Sequence, residues 1–175
     1  MLEFDFTKLE FIKEKKNYLL LFMILCYIIP IYYVYNCYNE NNSVSNIIYN
    51  EQCRNIILFF MVLMGVVTIL YEIERNDIVS IILITFLLLC IYGLLLYNET
   101  NQIHYIFAGL TFITILSFMI WHSCLTNYHK ILFMSLLLCF GLLLSIIINI
   151  NGNIFNSEVL YILNFAFYYL YLHFI

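Results

Sequence analysis

Charge is scarce in this chain. Only 10% of its 175 residues are Asp, Glu, Lys or Arg, and a single proline and five glycines offer few places to break a helix. The scarcity of charge excludes a soluble domain, because 65% of the residues are hydrophobic and the remainder is too small to cover them in water. With seven basic residues in all, no stripe for nucleic acid can be assembled, and no nucleic-acid partner is expected. Six cysteines are present, but no C-x-x-C pair and no spacing of a secreted disulfide scaffold. Metalloprotease H-E-x-x-H and the G-x-S-x-G elbow are both missing. The first apolar run has no small-x-small site and ends in Pro-Ile-Tyr-Tyr, so no cleavable signal is expected.

What is there is apolar length. A bilayer core of about 30 Å needs about 20 apolar residues per helix. Six segments meet this: residues 18–35, 56–71, 78–97, 103–121, 131–150 and 154–174. Alternating barrel strands are absent, and a helix satisfies its own backbone in lipid. The expectation is therefore an all-α polytopic membrane protein: six transmembrane helices in one bundle (18–175), preceded by an N-terminal arm (1–17). Tyr32, Tyr33, Tyr35, Tyr97, Tyr105, Trp121 and Tyr128 fall at span ends, where headgroups favour aromatic rings.

Lys8, Lys13, Lys15, Lys16, Arg75 and Lys130 then share one side of the membrane, and Arg54 alone lies opposite. Positive residues accumulate in the cytoplasm, so both termini are expected there. The outer side carries loops 36–55, 98–102 and 151–153. Every Asp, Glu, Lys and Arg falls in a loop, a tail or a helix end, an arrangement unlike that of ion-coupled pumps.

Cys37 and Cys53 stand near the two ends of the first outer loop. In an oxidising compartment they are placed to form a disulfide, which for a loop of about 15 residues contributes about 3 kcal/mol; otherwise they are two interfacial thiols. Asn41-Asn42-Ser43 and Asn98-Glu99-Thr100 are glycosylation sequons on the same side. His122, Ser123, Cys124 and His129 gather ligand atom types near Glu72 and Glu74, but at no standard zinc spacing, and no metal or other cofactor is expected. Asn164 is expected to bond between helices, and Gly141 with Ser145 forms a small-xxx-small patch for helix packing.

The opening of the fourth span is the most patterned stretch. His104, Ala108 and Thr111 share a face that Thr114 and Ser117 continue, and that face should turn inward. His104 then lies at the outer mouth near the level of Arg54. Either it bonds a neighbouring carbonyl, or it and Arg54 shape a polar crevice for an anionic or zwitterionic headgroup.

The run Ser43-Val-Ser45, an arginine entering the second span, and N-E-x-x-x-I-H-x-x-x-A-x-x-x-F from Asn98 to Phe112 resemble the DRAM/FRAG/Sfk-type six-helix membrane proteins and their bacterial six-helix relatives. The resemblance carries over Ser43, Ser45, Arg54, His104 and Ala108, and it implies a role in membrane-lipid handling, autophagy or lysosomal regulation. Members often carry an acidic residue at or within the last helix; this chain departs from that pattern, with Glu158 only at the outer edge of the span and Asn164 deeper. The resulting expectation is a non-enzymatic multi-pass protein that binds or organises lipid, or pairs with a membrane partner or a second copy. A small transporter or channel for a neutral solute is the alternative, and a lipid-modifying enzyme with His104 as base the third. Secretory-pathway, lysosomal and plasma membranes fit this composition equally.

Overall fold

A computed structural model describes residues 16–37, 43, 44, 47, 51–75, 77–148 and 154–172. Among them are six α-helices: α1 (Lys16–Asn36), α2 (Glu51–Arg75), α3 (Ile78–Leu96), α4 (Gln102–Leu125), α5 (Lys130–Ile148) and α6 (Ile154–Leu172). At about 1.5 Å per residue, the shortest are close to the thickness of a hydrocarbon core. Five stretches are long and apolar enough to cross a membrane: Asn17–Asn36, Arg54–Ile73, Ile78–Leu96, Gln102–Leu125 and Lys130–Ile148. An all-helical, apolar bundle of this kind is consistent with an integral membrane protein.

The exception is α6, which holds Asn156, Glu158, Asn164 and four tyrosines. Its composition follows from its position. Nine of its 19 residues are buried, against four of 19 in α5. A helix surrounded by protein rather than lipid can carry polar groups, provided that neighbours satisfy them. The neighbours do so here. Tyr161 and Tyr168 donate to the α4 carbonyls of Phe112 and Met119 at 2.9 and 2.7 Å. Asn164 and Ser135 of α5 bond reciprocally: the Ser135 hydroxyl donates to Asn164 Oδ1 at 2.8 Å, and Asn164 Nδ2 donates to the Ser135 carbonyl at 2.9 Å.

Each helix packs on the next in chain order, and α6 packs on α4 as well. At one point α1 and α6 meet through the edge-on rings of Tyr35 and Phe155, with centroids 5.8 Å apart. The arginines near the two ends of α2 give names to the two ends of the bundle, the Arg54 end and the Arg75 end. At the Arg75 end Asp77 caps α3, accepting from the amides of Val79 and Ser80. At the Arg54 end Asn101 caps α4 through the Ile103 amide. Close approach of α3 to α4 depends on Gly93, where an added Cβ would overlap the Phe107 ring. Gly141 differs, because a Cβ there would meet nothing within 4 Å, so it makes no close approach inside this chain.

Three helix ends depart from the sequence expectation: α2 begins at Glu51 rather than at residue 56, so Arg54 lies in its first turn and not in the outer loop 36–55. Helix α2 continues past Tyr71 to Arg75, and α4 continues past Trp121 to Leu125. Glu72, His122 and Ser123 therefore lie inside helices, and all three are buried. The expectation that no charged residue sits within the bundle fails at Glu72, whose relative exposure is 0%. Tyr169 donates to its Oε1 and Arg75 stands nearby, while its Oε2 has no hydrogen-bond partner among the described residues.

Candidate functional site

The core divides into two clusters along the bundle axis. Towards the Arg54 end, Val34, Val44, Ile47, Ile57, Phe155 and Val159 pack together. Towards the Arg75 end, the larger cluster centres on Phe118, Tyr161, Phe165, Tyr168 and Tyr169. Between them lies a cavity of about 170 Å³, whose walls come from α1, α2, α3, α4 and α6. Tyr27, Pro30 and Ile31 contribute from α1, Met61 and Met64 from α2, Leu87 and Ile91 from α3, Ala108 and Ile115 from α4, and Ile162 from α6. Pro30, the only proline in the chain, lies inside α1 at this wall and has no N–H to donate to the Cys26 carbonyl.

The lining is almost wholly apolar. Its two threonines are already engaged, Thr68 with the Met64 carbonyl at 2.6 Å and Thr111 with the Phe107 carbonyl at 2.8 Å. Glu158 is the one acidic or basic residue among the described lining residues. Its Oε2 accepts from the Val44 amide at 2.7 Å. Ser43, next in the chain, donates its hydroxyl to Glu99. Two consecutive loop residues thus join a carboxylate of α6 to a carboxylate of the α3–α4 turn.

Arg54 and His104 both attend to the carbonyl end of α3. Arg54 Nη2 donates to the Leu95 carbonyl at 2.9 Å, and His104 Nδ1 donates to the Tyr97 carbonyl at 2.8 Å. The last carbonyls of a helix have no partner within it and carry partial negative charge, so a guanidinium and a ring N–H suit them. His104 is itself buried, with 2% exposure. Neither residue lines the cavity. Of the positions singled out from the sequence, Ala108 lines it, Ser43 binds Glu99 beside it, and Arg54 and His104 brace α3. Cys37 is disulfide-bonded, whereas Cys26, Cys90, Cys124 and Cys139 are free. Ser45 and the side chain of Cys53 lie outside the described residues, as does the arm up to residue 15. Ser145 Oγ meets Ser157 Oγ of α6 at 3.1 Å.

The Arg75 end holds a second polar group; the sequence singled out Glu72 and His122 there, but not their partners Tyr169, Ser80 and Asp77. Tyr169 donates its hydroxyl to Glu72 Oε1, and Arg75 Nη1 stands 3.6 Å from the same oxygen. Beyond the Phe118 ring, His122 Nε2 lies 2.6 Å from Ser80 Oγ and 3.7 Å from Asp77 Oδ2. The Ser80 hydroxyl donates to Asp77 Oδ2 at 2.7 Å. Burial raises the Asp77 carboxyl, but bonds from the Ser80 hydroxyl and amide, the nearby His122 ring and the Trp121 side chain outweigh it. The group is held below its ordinary range.

Serine, histidine and aspartate here do not reproduce a hydrolytic triad. In a triad the carboxylate orients the ring from the nitrogen remote from serine. Here Asp77 and Ser80 face the same nitrogen, and Ser80 has 0% exposure. The arrangement caps α3 and ties it to α4. No protein-family model, curated protein or solved structure matches the chain.

Proposed function

We propose that this chain is a six-span integral membrane protein with both termini cytoplasmic, and that it works without catalysis by holding the apolar part of a lipid inside the bundle. The observation that carries the reading is the cavity of about 170 Å³ between the two core clusters. The pocket is partly open rather than sealed, so an apolar segment can enter it from outside the bundle. An engineered apolar cavity of about 150 Å³ takes up benzene, so the space suits a short apolar segment rather than a whole sterol. Met61 and Met64 on its wall adapt their shape readily to what they meet. The resemblance to DRAM/FRAG/Sfk-type proteins supports the same direction, since it implies lipid handling.

The test is to fill the space. Ala108→Phe, checked for intact helicity, is expected to hold its unfolding temperature while the lipid that co-purifies from the membrane falls several-fold. Undiminished lipid in that variant rejects the reading. Transport is the second reading, and one observation favours it: Glu72 places an ionisable group inside the bundle, as transporters do. Solute flux into proteoliposomes, lost in Glu72→Gln, separates it from simple lipid binding.

A further inference from the structure

We infer that the cavity takes an amphiphile whose polar end is a primary ammonium, with that ammonium held by Glu158 and the tail lying between the two core clusters. The inference rests on the cavity reading above and adds the chemistry of the ligand. The polarity of the lining narrows the choice. Thr68 and Thr111 already donate to their own helices. The polar end of a ligand therefore meets a carboxylate, which accepts hydrogen bonds and favours positive charge.

Glu99 stands at the same end of the bundle, linked through Ser43 to the loop that binds Glu158 through Val44. The cationic side chain described at this end, Arg54, has its Nη2 turned to the Leu95 carbonyl. An anionic headgroup brought to Glu158 would face a carboxylate, and like charges at short range repel. A phosphoethanolamine headgroup would place its phosphate there along with its amine. A single-chain amine carries the cation alone. An alcohol satisfies the hydrogen bond without matching the charge.

The experiment uses the full chain in detergent micelles and three probes of one chain length: n-hexylamine, n-hexanol and hexanoate. Binding is followed by calorimetry and by the shift in unfolding temperature. A charge-assisted hydrogen bond predicts that the amine binds at least about tenfold tighter than the alcohol, with hexanoate weakest. Glu158→Gln keeps an acceptor for the Val44 amide, so the loop contact should hold while the preference for the amine over the alcohol is lost. Equal affinity for amine and alcohol in the natural protein overturns the inference while leaving the cavity reading in place. An amine preference that survives Glu158→Gln overturns it too. If neither probe binds, both readings fall. Should Glu158→Gln not fold, the ranking of the three probes on the natural protein decides alone. Ethanolamine phospholipid, offered as mixed micelles, should not displace the bound amine.

Discussion

The Tyr169 hydroxyl donates to the Glu72 carboxylate across 97 positions of sequence, joining α6 to α2 at the Arg75 end. Removing the hydroxyl by Tyr169→Phe leaves a fully buried carboxyl with the Arg75 guanidinium 3.6 Å away and no hydrogen bond from the tyrosine. The expected loss is about 1–3 kcal/mol, the cost of leaving a buried polar group short of a partner. Replacing both residues, as Glu72→Leu with Tyr169→Phe, should cost less than the sum of the single changes. Equilibrium unfolding in micelles measures the three variants, and additive losses would show that the two side chains do not interact.

Gly93 and Gly141 should respond oppositely to the same substitution. Gly93→Ala pushes a methyl group into the Phe107 ring, which is stacked on Tyr97 with centroids 5.8 Å apart. Overpacking of this kind costs about 1–3 kcal/mol. Gly141→Ala meets open space and should gain up to about 1 kcal/mol from helix propensity alone. Thermal unfolding of both variants is sufficient, and a Gly141→Ala loss as large as that of Gly93→Ala would contradict the packing described.

Asp77 gives the protein a dependence on acid. Its carboxyl is held below the ordinary 3.8 in the folded state. A lowered folded value means that the stabilisation is complete above about 3.8 and disappears as pH falls through the lower folded value. Asp77→Asn removes this contribution. The natural protein should therefore lose stability more steeply than Asp77→Asn below pH ~4, with the two curves parallel above it. Unfolding temperatures across that range check the sign, and a steeper acid loss in the asparagine variant would reverse it.

The distribution of lysine and arginine predicts that tags added before Met1 and after Ile175 are both reached from the cytoplasmic side. Selective permeabilisation with antibody access reads this directly. Tags on opposite sides would mean an odd number of crossings and would remove α6 from the set of spans.

The helices were legible because each apolar run is long and all but the last lack charge, and five of the six are apolar enough to cross a membrane without reference to packing. The ends of α2 and α4 were less legible. Glu72 and His122 look like residues that terminate a span, and only the partners that Tyr169 and Ser80 supply make burial acceptable. The small-polar face of α4 pointed correctly to Ala108 and Thr111 as inward positions, since both line the cavity. The cavity itself was not legible, because a void depends on how side chains from five helices fail to meet, and no single segment records that. The alternative in which His104 bonds a neighbouring carbonyl is the one the structure has, at Tyr97, whereas the sequence did not reveal that Arg54 would find the Leu95 carbonyl. Those acceptors exist only once α3 has ended.

Tyr161 and Tyr168 reach α4 carbonyls that are, like the tyrosines themselves, two turns apart. A slide of α6 by one turn would leave at least one phenol facing the wrong carbonyl, so the pair fixes the register of the two helices like teeth on a rack. In a bilayer, α6 would partition poorly alone, yet it follows the other five in the chain. Its entry is thus better described as docking into a prepared slot than as dissolving in oil. Damage to that slot from α4 or α5 should then surface as a stranded last helix before it surfaces anywhere else.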